Sequence, residues 1–201
     1  MQVNRRSQAD RSATTRASLV QAARALFAKH GFAGVGTEAI VAAAGVTRGA
    51  LYHQFTDKTE LFQAAYEAIE EDLALRLGER VATAGVSDPI EAMTLGANAW
   101  LDACGEQEVQ QIVLLDGPAV LGWERWREIG MRYGIGLVEG LLNHAIEVGR
   151  IPPQPVRALT HVLVGALDEA GLYIARAEDQ TAASEEMRAV IAALVAGLAR
   201  H

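Results

Sequence analysis

Residues 37–55 read TEAIVAAAGVTRGALYHQF. The pattern predicts two helices of about two turns each, joined by a tight turn in which Gly45 can take a positive φ without a Cβ clash. Ile40, Ala44, Val46, Leu51 and Phe55 supply apolar contacts that would hold the two helices at a fixed angle. Thr47 can cap the second helix while still presenting its hydroxyl outward. That leaves Arg48, Gly49, Ala50, Tyr52, His53 and Gln54 mostly off the core.

An exposed set of that kind suits a helix laid in the major groove of DNA. Arg48, in the first turn, can donate bidentately to guanine O6 and N7, and Ala50 can touch a thymine methyl. Gly49 lets the backbone come close to the groove. Tyr52, His53 and the Thr37 hydroxyl, with the amides at that helix N-terminus, can reach phosphates, and Lys58 can neutralise another. The same residues also fit a plain two-helix corner with a solvated face, in which Tyr52 is a half-buried aromatic and His53 a surface residue.

Upstream, Leu19, Ala22, Ala23, Leu26 and Phe27 form one apolar helix face, and Gly31 sits where a C′ glycine would end it. Downstream, Asp57 and Glu60 have capping-box spacing and open a longer helix with Leu61, Phe62, Ala65 and Ile69 on one side. Asp88-Pro89-Ile90-Glu91 repeats the device with proline in the first helical position. Asp116-Gly117-Pro118 reads as a turn between two further helices, Gly149 to Pro155 as the end of the second, and Ser184 as lying near the cap of the last. No strand alternation, internal repeat or low-complexity linker stands out. The chain is expected to be all-α, with about nine helices.

The 201 residues are 50% hydrophobic and 21% charged, which excludes a disordered or collagen-like chain. One cysteine, Cys104, allows neither an internal disulfide nor a multi-thiolate metal site. The longest uncharged apolar run, Ala189 to Ala199, falls short of the roughly 20 residues of a bilayer span, and no secretory signal is visible. A soluble, cytoplasmic protein with no membrane partner is expected. The net charge of −7 hides a division: up to Lys58 there are 8 Lys/Arg against 3 Asp/Glu, and beyond it 10 against 22. A basic head on an acidic body suggests that one end meets a polyanion.

From about Thr15 to Tyr66 the sequence resembles the DNA-binding domain of the TetR family of bacterial transcriptional regulators. The likeness is carried by Ala25-Leu26-Phe27 with Gly31-Phe32, then Thr37, Ile40, Ala44-Gly45-Val46, Gly49, Leu51-Tyr52, Phe55, Lys58, Leu61 and Phe62. One departure is Val41, where the family usually has alanine; its bulk at the helix crossing could shift the angle slightly. The resemblance implies an N-terminal three-helix helix-turn-helix DNA-binding domain over residues 13–73. A basic arm (1–12, with Arg5, Arg6 and Arg11) precedes it, and a larger helical ligand-binding and dimerisation domain (74–201) follows. It also implies that Thr37, Thr47, Arg48, Gly49, Tyr52, His53 and Lys58 lie at the DNA.

In the body, Val156 to Ala177 is apolar nearly all round, and Met187, Val190, Ile191, Leu194, Val195 and Leu198 form a second stripe. A four-helix interface between two copies would cover both, through Leu163, Gly165, Ala166, Ala170, Val190, Ile191, Leu194 and Leu198; burial within one chain is the alternative. The resemblance favours the homodimer, because family members dimerise through their last two long helices. It also implies a cavity between Pro89 and Gly149, for which Met93, Trp100, Trp123, Trp126, Met131, Tyr133 and His144 are candidate lining residues, or else core. The expected function is a dimeric repressor, needing no cofactor, that a small apolar or amphipathic effector releases from a near-palindromic double-stranded operator. A regulator controlled by a partner protein, or by no ligand, is the alternative. Catalysis is remote: no G-x-S-x-G elbow is present, Cys104 has no activating partner in sequence, and His161, Asp168 and Glu169, which share a helix face, fit a polar cluster at the dimer interface or pocket wall better than a metal site or acid–base pair. No catalytic or metal site is expected.

Overall fold

The computed structural model describes residues 8–199. α1 (Gln8–His30) ends at Gly31, whose φ of +68° lets its N–H return to the Phe27 carbonyl at 2.8 Å. α2 (Thr37–Ala44) stops at Gly45, φ +65°. α3 (Arg48–Gln54) is opened by Thr47, whose hydroxyl accepts from the Ala50 amide at 3.2 Å. α4 (Lys58–Thr83) opens with the Asp57 carboxylate accepting from the Glu60 amide at 2.8 Å. The Glu60 carboxylate reaches back to the amide and hydroxyl of Thr56, at 2.6 and 2.8 Å, rather than to the Asp57 amide of a standard capping box. Asp88 caps α5 (Pro89–Ala103) through the Ile90 amide, with proline in the first turn as expected.

The middle of the chain departs from the sequence reading. Val109–Asp116 is a π-helical segment that passes without a turn into α6 (Gly117–Leu121). Pro118, at the start of α6, has no N–H to lose there. Gly117 is required by packing: a Cβ on it would lie 2.8 Å from Cδ1 of the Trp126 indole. α7 (Trp123–Glu147), α8 (Val156–Arg176) and α9 (Gln180–Ala196) complete nine α-helices among the described residues, with no strand. α9 is capped by Asp179 and not near Ser184, because the Asp179 carboxylate accepts from the Ala182 amide at 3.0 Å and starts the helix early. Likewise α1 begins at Gln8, so the expected arm is helical from residue 8; Arg5 and Arg6 lie outside the described residues.

Two cores organise the molecule. In the first, the rings of Phe27, Phe32 and Phe62 meet at centroid distances of 5.3–5.7 Å, backed by Leu19, Ile40, Leu51 and Phe55. Val41 packs on its margin. This core runs on along α4 through Ile69 and Leu73 to Ile112, Leu114, Trp126 and Leu172 in the body. The expected domain boundary at 73/74 therefore falls inside α4, beside a core that crosses it. The second core, with Met93, Leu101, Leu142, Ile174, Ile191 and Val195, joins α5, α7, α8 and α9. Among the polar contacts that fasten head to body, the Phe32 amide donates to the Asp116 carboxylate at 2.7 Å, and the Arg24 guanidinium grips Glu108 with two bonds of 2.8 and 2.9 Å.

Candidate functional site

α3 is held from behind. Leu51 and Phe55 are buried, the Arg16 guanidinium lies 4.3 Å from the Phe55 ring centroid, and the Gln54 side-chain amide donates to the Ser12 hydroxyl at 2.7 Å. On the opposite side Thr47, Arg48, Gly49, Tyr52 and His53 are exposed, with Thr37 and Ala50 partly so. Arg48 stands 3.8 Å from Glu38 and 5.7 Å from the Tyr52 ring centroid, contacts open enough to exchange for others. A Cβ at Gly49 would meet nothing nearer than the Thr47 hydroxyl at 3.9 Å, so packing within the chain does not demand a glycine there. A flat spot beside an arginine suits close approach to a groove.

Lys58 is placed differently from its expected role. Its ammonium donates to the Phe32 and Val35 carbonyls at 2.9 and 3.0 Å and sits 4.0 Å from the Phe32 ring centroid. It closes the loop between α1 and α2, which has bare carbonyls to satisfy, and leaves one N–H for anything outside.

Between α4, α5, α7, α8 and α9 lies an apolar cavity of about 130 Å³. Met93, Trp100, Trp126 and Tyr133 line it as expected. The indole N–H groups of Trp100 and Trp126 are tied to the Leu167 and Val113 carbonyls at 3.0 and 2.8 Å, which fixes both rings in the wall. Trp123 does not line it: that residue is 59% exposed at the start of α7, its ring tilted against that of Trp126 with centroids 4.9 Å apart. His144 faces outward, and Met131 is buried away from the cavity. Helical phase turns Met131 away from that face, whereas Trp123 and His144 lie beyond the two ends of the stretch from Trp126 to Leu141 that lines the cavity.

Asp168 lines the wall, one of the two places expected for its polar cluster, and three further polar lining residues were not anticipated: Tyr66, Glu70 and Arg127. Arg127 pairs with Asp168 and donates to the His161 carbonyl at 3.1 Å; the Tyr66 hydroxyl donates to the Trp126 carbonyl at 3.2 Å. Burial pushes the Asp168 carboxyl up to about 6 even though Arg127 pulls it down. This pairing disposes of the His161–Asp168–Glu169 arrangement, because Asp168 is committed to Arg127 while His161 and Glu169 are exposed. Cys104 is buried, and burial pushes its thiol up to about 12, so it is no nucleophile.

The expected interface residues divide. Ala170 and Ile191 are 1% and 6% exposed and belong to the second core, so they are unavailable to a partner. Val190 and Leu194 are half exposed and are joined by Val162 and Tyr173, while Leu163, Gly165, Ala166 and Leu198 are partly covered. Among the described residues α8 alone has the length and composition of a membrane span, and only 28% of that window is buried within the chain.

Residues 19–65 match the model of bacterial regulatory proteins of the tetR family, and residues 90–198 match that of the tetracyclin repressor-like C-terminal domain. A TetR-family transcriptional regulator from Pectobacterium atrosepticum superposes with a TM-score of 0.86 at 32% identity, over 98% of this chain and 99% of that one. The transposon Tn10 TetC protein of Escherichia coli is 25% identical over 162 residues, 81% of each protein. RolR, crystallised with resorcinol, shares the fold with a TM-score of 0.74 at 22% identity, over 93% of this chain and 90% of that one.

Proposed function

The chain belongs to the TetR family of bacterial transcription regulators, and from that premise we propose that it is a homodimeric repressor. It leaves a near-palindromic operator when a small apolar or amphipathic molecule enters the cavity. The observation that carries this is α3: a capped helix anchored by Leu51 and Phe55, with Thr47, Arg48, Gly49, Tyr52 and His53 facing outward. Such a helix reads base edges from its N-terminal turn, and phosphates are met by Thr37 and the residues around it.

One short helix reads too few bases to select a site, so two copies are needed. The exposed Val162, Tyr173, Val190 and Leu194 on α8 and α9 supply an apolar face for the second copy. A protein of the same fold holds resorcinol, which supports the cavity as the effector site. The C-terminal match to repressor-like domains supports repression.

Selecting DNA fragments bound by the protein tests the reading directly. The recovered site should be near-palindromic, with half-sites one helical turn or a multiple apart. Arg48→Ala should weaken it by about 1–3 kcal/mol and relax one base per half-site. Wild-type affinity and unchanged base preference in that variant would sink the docking.

A further inference from the structure

Charge within the cavity is unbalanced. Its charged lining residues are Glu70, Arg127 and Asp168, and Arg127 is already engaged by Asp168 and the His161 carbonyl. Glu70 is 8% exposed, and the one cation among the cavity's lining residues, Arg127, is paired with Asp168. With both acids ionised the site carries one net negative charge. An anionic effector would meet two carboxylates and an arginine already paired. A neutral one would leave Glu70 without a partner charge, and burial then favours its protonated form. The rest of the wall includes the rings of Tyr66, Trp100, Trp126 and Tyr133, whose faces attract cations.

We propose that the effector is an organic ammonium on an apolar body, its charge set against the Glu70 carboxylate and its alkyl groups against these rings. This rests on the cavity being the effector site. Burial pushes the Glu70 carboxyl up to about 7, the Tyr66 hydroxyl opposes that, and nearby Asp168 adds to it. The titratable groups that line the cavity with Glu70 are Tyr66 on its own helix, Arg127 and Tyr133 from α7, and Asp168 from α8; Cys104, the residue after α5, adds only a buried thiol outside the lining, and the π-helical segment and α9 only apolar side chains. An arriving cation favours the ionised carboxylate, so binding expels a proton below about pH 7. Affinity for the cation therefore rises with pH up to that point and then levels off.

The test compares the full chain and Glu70→Gln with benzyltrimethylammonium and its neutral carbon isostere neopentylbenzene. Binding is read from tryptophan fluorescence and from operator release, at pH 6 and pH 8. Glu70→Gln should weaken the ammonium about ten- to hundredfold and leave the hydrocarbon unchanged or tighter. Wild-type protein should bind the ammonium more tightly at pH 8 than at pH 6, with proton release. Binding of the hydrocarbon but not the ammonium, or equal effects of the variant on both probes, would overturn the charge assignment and leave the effector site standing. Gly134→Leu grows a side chain from a lining glycine whose Cβ meets open space. Loss of both probes in that variant supports the cavity as their site. If neither probe binds the wild-type protein, the charge assignment falls along with the effector site.

Discussion

The Lys58 ammonium holds two carbonyls, of Phe32 and Val35, and lies over the Phe32 ring. Lys58→Ala leaves those acceptors short of a donor, so it should cost about 1–3 kcal/mol in urea denaturation. Unchanged stability with weaker operator binding would return this residue to the phosphates. Glu70 makes a pH-dependent prediction. Its folded-state value of about 7 lies above the ordinary 4.5, so its contribution to stability is full below about pH 4.5 and is lost as pH rises to about 7. Glu70→Gln removes that slope, and denaturation should find it more stable than wild type by about 3 kcal/mol at most at pH 8, with the gap closing near pH 4.5. Asp168 slopes the same way in both proteins, so only the difference is diagnostic. Residues whose role is local were legible in the sequence: Thr47, Asp57 and Asp88 cap their helices as their spacing predicts. Glu70 was not legible. It sits among Glu67, Glu71 and Asp72, and what turns one acid inward is α7 and α8 arriving from 53 or more positions away in the chain.

At the scale of elements, the π-helical segment matters most. Val113 lines the cavity and its carbonyl holds the Trp126 indole, while Asp116, three residues on at the end of the segment, holds the Phe32 amide in the head. Displacing Val113 should move Asp116, because the two lie within one helical turn and each is bonded to a different part of the molecule. Asp116→Ala should therefore retain operator binding without ligand, while the effector-induced loss of affinity shrinks from the 5- to 150-fold typical of such coupling towards none. Full induction in this variant, measured by operator titration with and without ligand, would assign the coupling to α4 alone. Sequence reading missed the segment because Asp-Gly-Pro has the composition of a turn. Here the same residues serve packing: Gly117 admits the Trp126 ring, and the Asp116 carboxylate is drawn to the head.

The whole molecule follows the all-helical plan that cap signals and apolar periodicity announce. Which apolar faces are shared within the chain was not readable, since a stripe such as Ile191, Leu194 and Val195 looks alike whether its cover comes from α5 or from a second copy. Leu194 also lines the cavity, so Val162, 67% exposed, gives the cleaner test of assembly. Val162→Glu should give monomers in sedimentation with helix content intact and operator affinity lost, because a charge would be buried in the proposed interface. A dimer that persists would move the interface elsewhere.

The first core passes from Phe27 and Phe62 to Leu114, Trp126 and Leu172 without a seam, and this bears on how such proteins can be recombined. A head cut free at the end of α3, or midway along α4, would keep Leu19 and Phe27 but lose the side chains that close their far side. Grafting this head onto another regulator's body is then a problem of matching surfaces. A chimaera that transplants only residues up to Phe55 should misfold or melt early, whereas one that also carries the body's Asp116 contact and the Ile112, Leu114 and Trp126 face keeps the joint it depends on. The head that carries α3 and the body that encloses the cavity are one packed unit rather than interchangeable parts.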